Sequence, residues 1–225
     1  MEISVKKLTD LDLLHRANEF TTGHQSKMGL ERAYFYGHSP IRTQIFWVEM
    51  KDIPLFVASQ LVRQHVGIQF FQRSKRVDRG GEDFRIECYD FGQRLDLIAE
   101  RVDSDLTEQA AQELIESLNE MEAEVKSWAT KFDRYAPTDL ACIINAEALI
   151  NMAHKRLCSK ASKETREVVE TLRDKIAEVD PALAQMMVRP CVANGLICRE
   201  PKSCGFNHTD ICFAAVGLYK SLKQH

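Results

Sequence analysis

The sequence has no apolar run long enough to cross a membrane, no internal repeat and no low-complexity tract. Its longest apolar stretches, such as Ile211 to Leu218, fall far short of the roughly 20 residues a bilayer demands, so no membrane partner is expected. The start, MEISVKKLTDLDLL, alternates charged and apolar residues and lacks the apolar centre of an export signal. A cytoplasmic protein is therefore expected. An excess of positive charge is also missing: the formal net charge is −3, which excludes a generally basic nucleic-acid binder. No nucleic-acid partner is expected, and any phosphate recognition must come from a local cluster. Seven cysteines make an odd count, which with no export signal reads as reduced thiols rather than a disulfide framework. What remains is an ordinary globular composition, 44% apolar and 28% charged over 225 residues. That length fits one domain, or one domain with a helical extension.

Residues 9–33 read as one or two helices, with Thr9 as N-cap. Gly37-His38-Ser39-Pro40 is a turn. Ile41 to Met50 alternates and carries β-branched and aromatic residues, which predicts a strand. Asp52 can cap a helix through LFVASQLVRQHV, with Pro54 tolerated in the first turn and Gly67 as the break. GIQFFQRSKRV then reads as a short strand or extended loop, and Asp78 to Gly81 as a flexible turn. The second half reads as helical. Ala111, Leu114, Leu118, Met121, Val125, Trp128 and Phe132 alternate steps of three and four, which predicts a long helix with a narrow apolar seam. That seam serves a bundle core or a subunit interface. Pro137 ends it. Further helices are predicted from about Asn145 to Leu157 and from about Lys163 to Val179, the latter capped by Ser162 and stopped before Pro181. Val168, Val169, Leu172, Ile176 and Val179 form its buried face. The last 35 or so residues, with four cysteines and several Gly and Pro, look loop-rich. The fold class is α+β, a small twisted antiparallel sheet with long packed helices.

Arg63, His65, Arg73, Lys75, Arg76 and Arg79 form the densest basic cluster, interleaved with Phe70 and Phe71. Guanidinium forks suit phosphate and carbonyl oxygens and aromatic faces stack on rings, while a solvated basic turn has the same composition. Gln60, Arg63 and Ser59 or Gln64 stand at helical spacing just before a strand-like run, which aims several donors at one point. A second polar series, Asn145, Asn151 and Arg156, interrupts the apolar helix NAEALINMAHKRLCSK. These side chains either face solvent or, if buried, must be hydrogen-bonded to protein or ligand. Cys158, Cys191, Cys198 and Cys204 would close a zinc site if they converged, but the tail spacings match no compact knuckle, and buried free thiols are the alternative. His208 and Asp210 read as surface.

Together the two polar segments resemble the flavin-dependent thymidylate synthases. That family's signature is R-H-R, seven residues and a Ser after a Gln-rich apolar helix; here stand Gln60-Leu61-Val62-Arg63-Gln64-His65-Val66-Gly67 and then Gln72-Arg73-Ser74-Lys75-Arg76. Asn145 to Arg156 resembles the family's N-A-R-x-L-x-N-F-x-x-x-R, and SKASKETR resembles its S-H-A-Q-x-E-I-R. The resemblance runs from about Gly37 to Val179, and Arg189 to Phe206 resembles a Cys-containing tail of viral and some bacterial relatives. The chain departs from the pattern. Gln64 replaces the central His, His65 the second Arg, Gln72 a Glu and Lys160 a His. Arg42-Thr43 stands where Glu-His is expected, Glu147 where an Arg is expected, and the Arg63–Ser74 spacing is one residue longer. This is a divergent branch, viral relatives included, so its expected setting is the cytoplasm of a bacterial cell or a virus-infected bacterial cell.

The resemblance implies a single domain over 1–225 with a Cys-containing loop-rich tail from about 189. It implies a homotetramer with FAD between subunits, and methylenetetrahydrofolate and NADPH as co-substrates. By position, Arg63, Gln64, His65, Asn145, Asn151 and Lys160 would face FAD. Gln60, Gln72, Ser74, Arg76 and Arg156 would face the pyrimidine nucleotide, with Arg156 acting in catalysis on dUMP to give dTMP. Alternatives are C5 hydroxymethylation, methylation of another pyrimidine nucleotide, or a non-catalytic nucleotide-binding relative.

Overall fold

A computed structural model describes residues 1–25, 28–73, 112–121, 123, 134 and 136–222. The chain forms two compact units, Met1–Gln72 with Pro137–His225, and Arg73–Ala136.

The larger unit is built on a four-stranded antiparallel sheet of order β1-β2-β4-β3, with β1 Glu2–Lys7, β2 Ile45–Pro54, β3 Ile68–Gln72 and β4 Pro137–Asn145. The central strands alternate cleanly. Phe46, Val48 and Met50 of β2 and Leu140, Cys142 and Ile144 of β4 are buried, whereas Trp47 and Ile143 stand on the other face. This two-residue period places one face of the sheet against helices. Those helices are α1 Leu11–Thr22, α2 Leu30–Tyr36, α3 Leu55–Leu61, α4 Ala146–Arg156 and α5 Lys163–Val179. Short α6 Pro181–Met186 and α7 Pro190–Ala193 follow, and then α8 Asp210–Ser221. The core joins Phe46, Ile53, Leu61, Ile144, Leu149, Met152, Leu172 and Ile176.

A buried polar knot locks the sheet edge to the helices. Asp180 accepts from Lys7 Nζ at 2.7 Å, from the Tyr34 hydroxyl at 2.8 Å and from the Leu183 backbone N–H at 3.0 Å, where it caps α6. Burial, reinforced by Asp180, pushes the Tyr34 hydroxyl far above its usual range, so it stays a donor.

Several elements differ from the sequence expectation. Asp10, not Thr9, caps α1 by accepting from Leu13 N, and Thr9 Oγ1 instead accepts from Ile45 N at 2.9 Å. Ser39–Thr43 is a 3-10 turn, so β2 starts at Ile45 rather than Ile41. Asp52 caps no helix. It sits at φ 54 where the β2–β4 register shifts, and β2 continues to Pro54 because Ile53 is drawn into the core opposite Thr138. Helix α3 ends at Leu61, so Arg63 to Gly67 lie in a turn rather than on the helix. Pro137 opens the strand β4, which the helical reading of the second half passed over. The predicted Lys163–Val179 helix and its Ser162 cap match, with Val168, Val169, Leu172 and Ile176 buried, but Val179 is 38% exposed. The tail is less loop-rich than expected, since α8 occupies twelve residues of it.

In the smaller unit, residues 112–121 are helical. Of the expected seam, Leu114 is half-buried, Leu118 exposed and Met121 buried; Ala111, Val125, Trp128 and Phe132 lie outside the described residues. Among the described residues, no helix is long and apolar enough to cross a membrane.

Candidate active site

Strand β4 runs directly into α4 at Asn145, the junction on which the site is built. The Asn145 side chain caps α4 by accepting from Ala148 N at 2.9 Å, and its backbone N–H donates to the Gly67 carbonyl at 2.9 Å. Gly67, at φ 75, lies so close that a Cβ there would stand 2.5 Å from Asn145 Nδ2. Only glycine meets both conditions. The turn that carries Arg63 and His65 is thereby pinned to the start of α4. Gln64 adds a second tie, because its Nε2 donates to the Ala148 carbonyl at 2.7 Å.

The far end of α4 is tied to the same segment. An Arg156 Nη2 hydrogen bond reaches the Gln60 carbonyl. The Gln60 side-chain Oε1 accepts from Thr165 Oγ1 at 3.0 Å, and Thr165 Oγ1 accepts from Ser162 Oγ at 2.8 Å. Gln60 is thus a hub joining α3, α4 and α5. Arg156 is half-buried, and burial, with the nearby Arg63 guanidinium second, lowers its pKa. Among the described residues neither arginine has an acid partner. Two neighbouring guanidiniums that lack a carboxylate make a local demand for an anion.

Arg156 and Asn151 line a cavity of about 510 Å³, together with His154, Cys158, Arg189, Cys198, Cys204 and Phe206 among others. Burial lowers the His154 pKa, outweighing its hydrogen bond to the Met186 backbone. Its Nε2 is buried and has no hydrogen-bond partner among the described residues. A buried, unpaired ring nitrogen at a cavity wall is a place for a ligand or water hydrogen bond.

The structure brings Gln60, Arg63, Gln64, His65 and Asn145 to the α3–β3 turn and the start of α4, with Asn151 and Arg156 further along the same helix. Gln64, expected to face a cofactor, spends its amide N–H on the backbone and shapes the turn. Lys160 is exposed beyond α4, and Gln72 is exposed at the end of β3; neither lines the cavity. Ser74 and Arg76 lie outside the described residues. Phe70 packs partly into the core and Phe71 tilts against Trp47, with ring centroids 5.8 Å apart. Cys158, Cys191, Cys198 and Cys204 do line one cavity. Yet among the described residues no three His, Cys, Asp or Glu side chains form a group that could hold a metal, so the zinc expectation finds no ligand set there. Thr165 and Arg189 were missed. A signal for Thr165 existed: it puts a hydroxyl where the resembling motif has Ile.

The antiparallel sheet with its packed helices is the fold of the flavin-dependent thymidylate synthases. Two crystal structures of ThyX from Helicobacter pylori, each complexed with FAD and dUMP, superpose with TM-scores of 0.53 and 0.51 at 20% identity. Each covers 84% of this chain, and 100% and 99% of the other. The Thy1 family, thymidylate synthase complementing protein, matches residues 16–182. The chain belongs to that family, whose members are enzymes, the flavin-dependent thymidylate synthases. No curated protein matches it by sequence.

Proposed function

We propose that this chain, as a homotetramer, transfers a one-carbon unit from methylenetetrahydrofolate to C5 of dUMP, with FAD as cofactor and NADPH as reductant, giving dTMP. The observation that carries the reading is Arg156: a half-buried guanidinium in a cavity, aimed by the Gln60 carbonyl, with Arg63 rather than an acid beside it.

The residues present fit a polyanionic, hydrogen-bonding cofactor. Arg63 and His65 stand exposed on a turn that Asn145 and Gly67 fix in place. Arg63, His65, Asn145 and Asn151 are the groups we assign to FAD, with Lys160 at the margin. Bound FAD would supply the hydride chemistry that no side chain offers. The protein's own part is orientation and charge. Gln60, Gln72, Ser74 and Arg76 are assigned to the nucleotide together with Arg156. Uracil C5 is a weak nucleophile unless the ring takes on enolate-like character, which places negative charge on its carbonyl oxygens. A fixed, always-protonated fork at that edge lowers the barrier. The Gln60–Thr165–Ser162 chain holds the fork still, which such stabilisation requires.

Two measurements test the proposal. The purified protein should show flavin absorbance in the visible range. Arg156→Ala should keep the fold and the flavin but lose about a hundredfold in turnover at saturating nucleotide, on the order of 3 kcal/mol. Turnover within twofold of the parent would remove Arg156 from the reaction. The product's mass separates a methyl from a hydroxymethyl group.

A further inference from the structure

One wall of the Arg156 cavity comes from residues 189–207, which lie beyond the 16–182 segment that matches the family. The cavity lining as a whole is basic for a chain whose net charge is −3. Lys155, Arg156, Arg189 and Arg199 line the cavity against one carboxylate, Glu200, and among the described residues none of the four is in an ion pair. Arg189 is also built in. Its Nη1 donates to Ser159 Oγ at 3.0 Å, and its guanidinium lies over the Phe206 ring, 4.0 Å from the centroid.

These contacts have a chemical meaning. A stacked guanidinium with one N–H engaged has already lost its rotamer freedom and keeps its remaining N–H groups unspent, so binding an anion costs it little further order. With Arg156 committed to the base in the reading above, a second unpaired fork in the same cavity calls for a second acceptor group on the same ligand. A phosphate monoester dianion suits it better than a carboxylate. Its three oxygens leave acceptors for a further cation of the same lining, such as Arg199, whereas one fork satisfies a carboxylate.

We propose that Arg189, fixed by Ser159 and Phe206, is a further substrate-binding residue that receives the 5′-phosphate of the nucleotide and makes the site select nucleotides over nucleosides. The proposal rests on the preceding reading only for the identity of that nucleotide as dUMP. The segment after residue 182 is then part of the substrate site, not an appendage to the family core.

The test is calorimetric binding to the full chain as purified, which needs no turnover. Its ligands are dUMP, inorganic phosphate and deoxyuridine. Arg189→Gln should weaken dUMP and phosphate by about ten- to a hundredfold, the loss expected for one charge-assisted contact, and leave deoxyuridine unchanged. Phe206→Leu keeps the charge but frees it, and should weaken dUMP less while raising KM more than it lowers kcat. Unchanged dUMP and phosphate affinity in Arg189→Gln would overturn the proposal, and so would an equal loss for deoxyuridine. A thermal midpoint within a few degrees of the parent shows that the variant is folded; if Arg189→Gln unfolds, Phe206→Leu decides alone. A protein that makes no thymidylate yet loses phosphate binding in Arg189→Gln refutes the proposed function and keeps this site. One that makes thymidylate while Arg189→Gln binds phosphate normally does the reverse.

Discussion

Replacing Gly67 by Ala probes the junction on which the whole site depends. The new Cβ would lie 2.5 Å from Asn145 Nδ2, 2.7 Å from Oδ1 and 2.9 Å from Cγ, so the Asn145 side chain must leave. Leaving breaks the cap on α4, a change that costs about 1 kcal/mol. The backbone at φ 75 adds left-handed strain of roughly 1–2 kcal/mol for a residue with a Cβ. The two together come to about 2–3 kcal/mol, a large share of the ~5–15 kcal/mol that holds a domain folded. Gly37→Ala is the built-in control. It has a similar φ of 63 but nothing within 4 Å of the added Cβ, so it should cost the strain alone. Denaturant unfolding should show a lower midpoint for both variants at unchanged slope, with Gly67→Ala the worse by about 1 kcal/mol. Gly67→Ala should also bind flavin more weakly, because Arg63, His65 and Asn145 shift with the turn. Equal midpoints for the two variants, with flavin retained, would refute the claim that Gly67 is there to make room for Asn145.

Asp180→Ala should cost about 3–5 kcal/mol in thermal or denaturant unfolding, because it strands the Lys7 ammonium and the buried Tyr34 hydroxyl and uncaps α6; a loss under about 1 kcal/mol would show that the knot is dispensable. Cys204 should be the first of the described thiols to alkylate. The Phe206 backbone, then Ser159 and Arg189, lower its pKa, so its thiolate forms, and its reaction rate rises, at lower pH than for a free thiol. Cys142 and Cys191, pushed up to about 12 and about 11 by burial, should stay unlabelled in the folded protein, and peptide mass mapping after a short pulse at several pH values checks the order. Arg42→Glu and Glu147→Arg should each weaken flavin binding or stability, and the double variant should recover the loss; additive single effects in a double-mutant cycle would show the pair to be uncoupled.

The helices were legible where the pattern was local. Ser162 and the apolar positions Val168, Val169, Leu172 and Ile176 place α5, and the Asn145 cap places α4, because caps and a 3.6-residue period are written within one segment. Strand β4 was equally written, in Thr138, Leu140, Cys142 and Ile144, but its alternation adjoins a helix start and was passed over. The Asp52 reading failed for a different reason. A cap-like residue before Pro54 looks like a helix start until the partner strand is known, and β4 is 85 residues further along the chain. The site was legible in the same uneven way. Motif positions predicted that Arg63, Asn145 and Arg156 matter. They could not predict that Gln64 would be used up on the Ala148 carbonyl, that Gln60 would join three helices, or that the tail would close the cavity. Each of those is a long-range contact with no trace in spacing.

The departures from the family pattern look scattered along the chain, yet two of them meet in space. Arg42 stands where a Glu is expected and Glu147 where an Arg is expected, and the two form a bidentate ion pair at 2.6 and 3.1 Å. Either change alone would leave a charge without its complement at the start of α4. In this chain the two complement each other, and the hydrogen bonds to Glu147 raise the Arg42 pKa. The exchange of Gln64 has the same logic. A neutral amide in place of an imidazole removes a titratable group and puts in its stead a donor with a fixed backbone acceptor. What these replacements keep is the position of α4 against the turn, and with it the orientation of Asn145, Asn151 and Arg156. The chain has therefore exchanged bracing groups at Arg42, Gln64 and Glu147, and site-facing ones at His65, Gln72 and Lys160, while Arg63, Asn145, Asn151 and Arg156 keep the residue types of the family pattern.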